Sequence, residues 1–158
     1  FLYLTARVIG ARNVVEFGTS FGISTIYLAA ALRDNGGSGV VIGSEIDQPK
    51  CAQATRNLAE AGLADHADVR GGDALESLRD VPEAVDMVLL DGAKDLYLPV
   101  LEMLLPKLRP GAVVLADNIH TFRRGLKPYV DFMQSGEAGF VSTTLSLGQG
   151  FEYSTYLG

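Results

Sequence analysis

A glycine turn between an apolar run and a helical run constrains this chain more than any other feature. The segment Val14–Ser24 reads VVEFGTSFGIS, and the helix-like run Thr25–Leu32 follows it. An apolar strand, a glycine turn and a helix N-terminus in this order commonly hold a nucleotide-like cofactor in an open α/β sheet. A second apolar run, Val40–Ile42, leads to Glu45. An acid about 20 residues beyond such a turn can accept hydrogen bonds from both hydroxyls of a ribose.

The spacing of the glycines favours S-adenosylmethionine over a dinucleotide. The dinucleotide fingerprint G-x-G-x-x-G lets the backbone approach a pyrophosphate, but Ser20 and Ile23 occupy the positions of its second and third glycines. The carboxylate of Glu16, at the mouth of the turn, would repel a pyrophosphate, whereas it suits an ammonium or sulfonium group. S-adenosylmethionine has a ribose, no phosphate and a cationic amino-acid end. A tight turn that needs positive φ but holds no ligand is the alternative.

Length and composition predict one globular domain that occupies a reducing compartment. The 158 residues are 47% apolar and 20% charged, which is enough to bury a core. The net charge is −6 and no basic cluster exceeds the pair Arg123-Arg124, so we expect no nucleic-acid partner. Cys51 is the only cysteine, which excludes an internal disulfide and favours the cytoplasm. No stretch approaches the about 20 apolar residues of a membrane span, so we expect no membrane partner.

The order of the apolar runs predicts repeated βα units followed by a hairpin. Parallel strands are expected at residues 14–17, 40–45, 67–70, 85–90 and 112–116. Helices are expected at residues 2–10, 24–33, 47–61, 74–79, 96–108 and 124–135. Alternating patterns at residues 140–147 and 151–157 flank a glycine loop and predict a β-hairpin. The fold class is therefore α/β over residues 1–158: a Rossmann-like, mostly parallel seven-stranded sheet with helices on both faces and a C-terminal antiparallel hairpin.

Two local expectations concern the ends of helices. Ser24 stands where a side chain can cap the second helix, since serine is a preferred capping residue. Asp47 is expected to cap the third helix, with Pro49 in its first turn and Gly62 after its end. The pair Pro110-Gly111 is expected to end the helix that precedes the fifth strand.

An acidic residue lies near the carboxyl end of each of the five predicted parallel strands: Glu16, Glu45, Asp73, Asp91 and Asp117. The carboxyl ends of parallel strands share one edge of the sheet, so these carboxylates are expected to converge there. Like charges that close need a cation between them, or some must take up protons. If the cofactor uses the first two acids, three oxygen ligands remain at neighbouring strand ends: Asp91, Asp117 and Asn118. Oxygen-only ligation favours Mg²⁺, with Ca²⁺ or Mn²⁺ as alternatives, and a plain Asp-Asn turn is the competing interpretation.

Three further residues near these strand ends are candidates for the site. Lys94 lies at the start of a predicted helix, where a cation opposes the helix dipole. A neutral amine held near a metal could act as a general base, whereas a solvated lysine or one paired with Asp95 is the alternative. Tyr97 either forms a wall of the pocket or packs in the core. His120 either lines a substrate cleft, serves as an alternative ligand or is an ordinary loop histidine.

Three segments carry a resemblance to a known family: VEFGTSFGIS at 15–24, LLDGAKDLY at 89–97 and VVLADN at 113–118. The chain resembles the metal-dependent O-methyltransferases, the group that includes catechol O-methyltransferase, caffeoyl-CoA O-methyltransferase and many bacterial members. The resemblance covers residues from about 3 to the final hairpin. It implies an S-adenosylmethionine-dependent enzyme that methylates a hydroxyl of a phenolic, catechol-like small molecule. It also implies Mg²⁺, or another divalent cation, as a second cofactor.

The resemblance implies roles for individual positions. The methionine end of the cofactor would be held by Glu16, Gly18 and Ser24. The ribose would bind Glu45, and the adenine would lie beside Asp73 and Ala74. The complete predicted cofactor set is Glu16, Gly18, Thr19, Ser20, Gly22, Ser24, Glu45, Ile46, Asp73, Ala74 and Asp91. The implied metal ligands are Asp91, Asp117 and Asn118. The implied catalytic residues are Lys94, as the general base, and Asp91.

One departure from the family and several rival functions stay open. Family members carry further N-terminal helices that cover the active site and help to form dimers, whereas this chain begins at Phe1 just before its first strand. We expect those cap helices to be missing, and a homodimer is the assembly that the resemblance suggests. A metal-independent small-molecule methyltransferase and a cofactor-binding module without catalysis are the main alternatives. A base methyltransferase is disfavoured because Asp91 is followed by Gly-Ala-Lys rather than Pro-Pro-aromatic, and a dehydrogenase is disfavoured by the glycine spacing.

Overall fold

One seven-stranded sheet organises the protein, and the computed structural model describes all 158 residues. Its strands are β1 (Asn13–Phe17), β2 (Val40–Glu45), β3 (Ala67–Gly71), β4 (Val85–Leu90), β5 (Leu108–Ala116), β6 (Phe140–Leu145) and β7 (Phe151–Tyr156). Its helices are α1 (Leu2–Val8), α2 (Ile23–Asp34), α3 (Gln48–Glu60), α4 (Ala74–Ser77), α5 (Tyr97–Leu104) and α6 (Lys127–Ser135). Short 3₁₀ turns occur at Ala64–His66, Lys94–Leu96 and Leu105–Lys107. None of the helices combines the length and the apolar character that crossing a membrane requires.

The strand order β3-β2-β1-β4-β5-β7-β6 confirms the predicted fold class. Strands β1 to β5 are parallel, whereas β7 pairs antiparallel with both β5 and β6. In the register, Val15 of β1 lies opposite Ile42 of β2 and Val88 of β4. The parallel pairing places the carboxyl ends of β1 to β5 at one edge of the sheet, where the predicted site residues follow.

Two hydrophobic clusters cover the two faces of the sheet. Val14 belongs to the cluster beneath α1, α2 and α3, whereas its neighbour Val15 belongs to the cluster beneath α4, α5 and α6. Successive strand residues point to opposite faces, so an apolar strand supplies both clusters. All six residues of β4 are buried, which explains why this strand is almost continuously apolar.

The helix that follows the glycine turn is capped differently from the prediction. It begins at Ile23, so Ser24 lies inside its first turn and the predicted serine cap is wrong. The capping position is Gly22, which has a left-handed φ of 84° and makes no side-chain cap hydrogen bond. A positive φ redirects the chain from the turn into the helix, and glycine adopts it without a steric penalty. The predicted cap of α3 is confirmed, because Asp47 accepts a hydrogen bond from Lys50 N at 3.1 Å.

Strand β5 begins earlier than predicted. Helix α5 ends at Leu104, and β5 begins at Leu108, so Pro110-Gly111 lies inside the strand and does not terminate a helix. The pairing between β4 and β5 shifts register between Val85 and Met87. Such an irregularity accommodates a proline, because proline has no N–H to donate to the ladder.

Asp86 of β4 ties three parts of the fold together at the end of the sheet opposite the site. Its Oδ2 accepts hydrogen bonds from Arg12 N and Asn13 N, each at 2.8 Å, and its Oδ1 accepts one from Arg109 Nε. Burial alone would raise the pKa of Asp86. The guanidinium of Arg109 and the two backbone donors outweigh burial, so the pKa lies below its ordinary value.

The substitution Asp86→Asn is expected to lower the free energy of unfolding by about 1–3 kcal/mol at pH 7. Because folding lowers the pKa of Asp86, its stabilisation is complete above the unfolded pKa, about 3.9, and is lost as the pH falls through the folded value. Denaturant unfolding between pH 7 and pH 2.5 should therefore show the two proteins converging below about pH 4. Asp131→Asn is the control, since Asp131 pairs with Lys127 at the surface and should change stability by under ~0.5 kcal/mol. A gap independent of pH would contradict the prediction.

Candidate functional site

A groove runs along the carboxyl ends of β1 to β4. Its larger part, ≈ 310 Å³, is lined by seven predicted cofactor residues: Gly18, Ser20, Glu45, Ile46, Asp73, Ala74 and Asp91. Its smaller part, ≈ 240 Å³, is lined by five: Gly18, Thr19, Ser20, Ser24 and Asp91. The two parts share Gly18, Ser20 and Asp91, so they adjoin each other at the glycine turn.

The glycine turn is shaped by close contact between the ends of β1 and β4. Gly18 has a φ of +98°, and a Cβ added there would lie 2.6 Å from Gly92 N and 2.7 Å from the carbonyl carbon of Asp91. The N–H groups of Gly18 and Thr19 both donate to Ser44 O, at 3.0 and 3.1 Å. Position 18 therefore needs glycine for its backbone conformation and for the space that it leaves.

Glu45 lies at the end of β2 with both carboxylate oxygens directed by backbone donors. Its Oε2 accepts a hydrogen bond from Ser20 N at 2.7 Å, and its Oε1 accepts one from Asp47 N at 2.9 Å. A carboxylate oxygen can accept two hydrogen bonds, so each oxygen keeps the capacity for one more. Asp73 is arranged similarly at the start of α4, where its Oδ1 accepts from Leu75 N at 2.8 Å.

Glu16 lies beneath the groove and not in its wall. Its side chain is completely buried, and its Oε2 accepts a hydrogen bond from Thr25 Oγ1 at 2.5 Å. Neither Oε1 of Glu16 nor Oγ1 of Thr19 has a hydrogen-bond partner. Burial raises the pKa of Glu16; the hydroxyls of Ser24, Thr25 and Thr19 around the carboxylate oppose the shift, and the charge of Asp91 adds to it. A direct contact of Glu16 with the cofactor stays a prediction.

Lys94 connects the ends of β4 and β5. Its Nζ lies 3.4 Å from Asp91 Oδ1 and 2.7 Å from Tyr97 OH, and the Tyr97 hydroxyl donates to Asp117 O at 3.2 Å. The side chain of Lys94 is only 17% exposed. The ion pair is therefore with Asp91, and the alternative pairing with Asp95 is not found. The two interpretations of Tyr97 both apply, because its ring packs in the core while its hydroxyl reaches the site.

The acids at the strand ends do not form one carboxylate cluster. No group of three or more His, Cys, Asp and Glu side chains is arranged to hold a metal ion. Burial raises the pKa of Asp91, Lys94 opposes that shift, and the charge of Asp117 adds to it, so the two acids influence each other. A metal here would need the amide oxygen of Asn118 as its third protein ligand. Two carboxylates and an amide oxygen are a donor set that fits a hard divalent cation.

The loop after β5 holds the backbone of Asn118, and its next residues line a second cleft. Asp117 Oδ1 accepts a hydrogen bond from Asn118 N at 2.5 Å, and Asn118 has a φ of 66°. The next residues, Ile119 and His120, line a cleft of ≈ 450 Å³ between this loop, α6 and β6. His120 thus lines a cleft next to the predicted ligands, with its Nε2 3.4 Å from Ser146 Oγ.

Sequence reasoning missed several residues that line the groove: Phe17, Phe21, Ile23, Ser44, Lys50, Gly72, Gly92, Ala93 and Leu96. Gly92 carried a usable signal, because it is a glycine two residues after the end of a buried strand. A Cβ at this position would lie 2.5 Å from the ring of Phe17, so the groove depends on its absence. The others carry no distinctive pattern, because their place in the groove follows from the packing of β1, β2 and β4.

Comparison with known proteins assigns this architecture to a family. A family model described as a methyltransferase domain matches residues 15–119, so the chain belongs to that family. Among its relatives, a catechol O-methyltransferase from Niastella koreensis is 36% identical over 123 residues, which are 75% of this chain and 54% of the relative. A catechol O-methyltransferase from Mycobacterium tuberculosis is 40% identical over 121 residues, 75% of this chain and 53% of the relative. The chain spans about half the length of these curated relatives.

A solved structure resembles nearly the whole chain. The crystal structure of an O-methyltransferase from Bacillus cereus in complex with SAH has a TM-score of 0.89 and 29% sequence identity. The match covers 99% of this chain and 79% of that protein. The relatives named above are thus O-methyltransferases, which confirms the resemblance inferred from the three sequence segments.

Proposed function

We propose that this protein is an S-adenosylmethionine-dependent O-methyltransferase that acts on a hydroxyl of a phenolic, catechol-like small molecule with the help of a divalent cation. The main support is the groove over the glycine turn, whose two parts meet at Asp91, and Asp91 in turn contacts Lys94. The two catechol O-methyltransferases among its relatives support the same class of acceptor.

The groove suits S-adenosylmethionine along its whole length. Glu45 keeps one free acceptor site on each carboxylate oxygen, which matches the two hydroxyls of a ribose. Asp73 and Ala74 border the same part of the groove and would lie beside the adenine. The backbone at Gly18 and the side chain of Ser24 line the smaller part and would hold the amino-acid end. Bound there, S-adenosylmethionine would supply the methyl group as a sulfonium.

Methyl transfer to a phenol requires that the hydroxyl lose its proton. A divalent cation held by Asp91, Asp117 and Asn118 would supply positive charge that favours this loss. Lys94 would receive the proton when its amine is uncharged, and its Nζ is near the predicted ligands, 3.4 Å from Asp91 Oδ1. The deprotonated phenol oxygen would be the nucleophile, and the bound cofactor would supply the methyl group and depart as a neutral thioether. Holding both reactants in one place accounts for much of the rate.

The cleft next to Asn118 is the place where the acceptor would lie. It is bordered by Ile119 and His120, and Val130 adds an apolar surface from α6. A volume of ≈ 450 Å³ falls within the range of about 300–1,000 Å³ found for small-molecule sites. The homodimer and the cytoplasmic location stay predictions.

Calorimetry combined with a methylation assay tests the proposal. S-adenosylmethionine should bind in calorimetry, whereas NADH should not, which separates the methyltransferase from a dehydrogenase. Catechol should then be methylated in the presence of Mg²⁺ and not in excess EDTA. Full activity in EDTA would select the metal-independent alternative. Binding of S-adenosylmethionine without methylation of any phenol would select the module without catalysis.

The substitution Glu45→Ala is expected to weaken the binding of S-adenosylmethionine about 10-fold to 100-fold, because hydrogen bonds to a charged group are lost. The dissociation constant is measured by calorimetry. Glu102→Ala is the matched control, since Glu102 is an exposed glutamate of α5 outside the groove, and its affinity should equal that of the unmodified protein. Equal affinities of both variants would contradict the role of Glu45.

A further inference from the structure

We infer that Tyr97 is a positioning residue, whose hydroxyl holds the amine of Lys94 beside the backbone of Asp117. The inference rests on the proposed function, because it concerns the group that would receive the phenolic proton. It adds a residue of α5 to a site that the strand ends otherwise supply.

The direction of the two hydrogen bonds of Tyr97 follows from elementary chemistry. Its hydroxyl lies 3.2 Å from the backbone carbonyl of Asp117, which can only accept, so the hydroxyl donates there. The same hydroxyl lies 2.7 Å from Lys94 Nζ, so it accepts from the amine. Tyr97 therefore joins Lys94 to the end of β5 in a single defined orientation.

The core holds the ring of Tyr97 rigidly. Phe17 packs edge-on against it with ring centroids 6.3 Å apart, and Tyr129 packs edge-on from another side at 5.7 Å. Lys94 has a long flexible side chain, whereas the Tyr97 hydroxyl is fixed by a fully buried ring. Lys94 Nζ lies 4.9 Å from the centre of the Tyr97 ring, on the side of the hydroxyl that it contacts.

Tyr129 offers a matched control within the same cluster. Its ring is as deeply buried as that of Tyr97, but its hydroxyl has no hydrogen-bond partner. Removing the hydroxyl of Tyr129 therefore changes the same chemical group in the same core without touching Lys94. The comparison of Tyr97→Phe with Tyr129→Phe isolates the two hydrogen bonds of Tyr97.

Steady-state kinetics with catechol, S-adenosylmethionine and Mg²⁺ provide the first test. Tyr97→Phe should lower kcat about 10-fold with both KM values unchanged within about twofold, whereas Tyr129→Phe should change none of them. In a Lys94→Met background, Tyr97→Phe should have no further effect on kcat, because it acts through the amine. Equal losses in both tyrosine variants, or an undiminished loss in the Lys94→Met background, would overturn the inference.

A second readout needs neither the cofactor nor turnover. Acylation of lysines by acetic anhydride at one fixed pH, followed by peptide mass spectrometry, measures how readily each amine is available to react, and hydrogen bonds that hold an amine in place lower that availability. Lys94 should react several-fold faster in Tyr97→Phe than in the unmodified protein or in Tyr129→Phe, and an unchanged rate would overturn the inference. If the unmodified protein methylates no phenol, the proposed function fails while this labelling still decides the role of Tyr97.

Should Tyr97→Phe not fold, labelling of the unmodified protein decides: Lys94 should react several-fold slower than exposed Lys127, and equal rates would overturn the inference.

Discussion

Replacing Asp117 with alanine is expected to abolish methyl transfer and its response to Mg²⁺ together. Asp117 is one of two carboxylates in the predicted ligand set, and its charge adds to that of Asp91 in the same half-buried region. Positive charge from a metal ion at a reacting oxygen supplies several kcal/mol. Its loss corresponds to a fall in kcat of about a thousandfold. The rate of catechol methylation, measured over a Mg²⁺ titration and in EDTA, checks the result.

The control for this experiment is Asp95→Ala. Asp95 is an exposed acid four residues from Asp91 in the chain, but it lines neither part of the groove. Its removal changes the net charge by the same amount and should leave methylation and metal dependence intact. Binding of S-adenosylmethionine should persist in both variants, which separates a metal defect from a folding defect. A fully active Asp117→Ala protein that is insensitive to EDTA would refute the assignment of Asp117 as a ligand.

The second large effect is expected at Gly18, where Gly18→Ala should destabilise the fold and remove cofactor binding. Its φ of +98° disfavours any residue with a Cβ, and the added atom would lie 2.6–2.7 Å from the backbone of Asp91 and Gly92. Backbone cannot move aside as a flexible side chain can, so strain and displacement add. We expect a loss of about 3 kcal/mol or more in the free energy of unfolding. Denaturant unfolding and calorimetry with S-adenosylmethionine measure the two consequences.

Gly36→Ala separates the steric clash from the conformational strain. Gly36 has a φ of +116°, and no heavy atom lies within 4 Å of the place where its Cβ would stand. This variant should therefore lose only about 1–2 kcal/mol, the penalty of a left-handed conformation, and should keep its affinity for the cofactor. If Gly18→Ala were no worse than Gly36→Ala, the contact between β1 and β4 would not require glycine.

Much of the candidate site could be predicted from sequence because each relevant residue follows an apolar strand. Glu45 and Asp91 occupy strand ends that the apolar runs define, and parallel pairing brings those ends to the same edge. The helix cap at Asp47 is equally local, since a capping side chain bonds to a backbone group a few residues away. These predictions depend on periodicity and on neighbours in the chain.

Other features depend on residues that are far apart in sequence. Whether Glu16 lines the groove or lies beneath it is decided by the helix that packs over it, because Thr25 of α2 binds its carboxylate. Gly18 needs its missing side chain because the backbone of Asp91 and Gly92 lies against it. The start of β5 likewise depends on its pairing with β4. Because Leu108 pairs with Val85, Pro110-Gly111 lies inside the strand and not at the predicted helix end.

The sequence by itself determined the order of strands and helices, the acids at the strand ends and the glycine turn between β1 and α2. Hydrophobic periodicity and turn-forming residues act over a few neighbouring positions, so these features can be recognised from the sequence. Only the tertiary structure decided that Tyr97 bridges Lys94 and Asp117. It also decided that Glu16 is buried, that Glu45 and Asp73 line the groove, and that Asp91 and Asp117 influence each other. Those outcomes depend on packing between distant segments, which sets burial, distance and electrostatic environment.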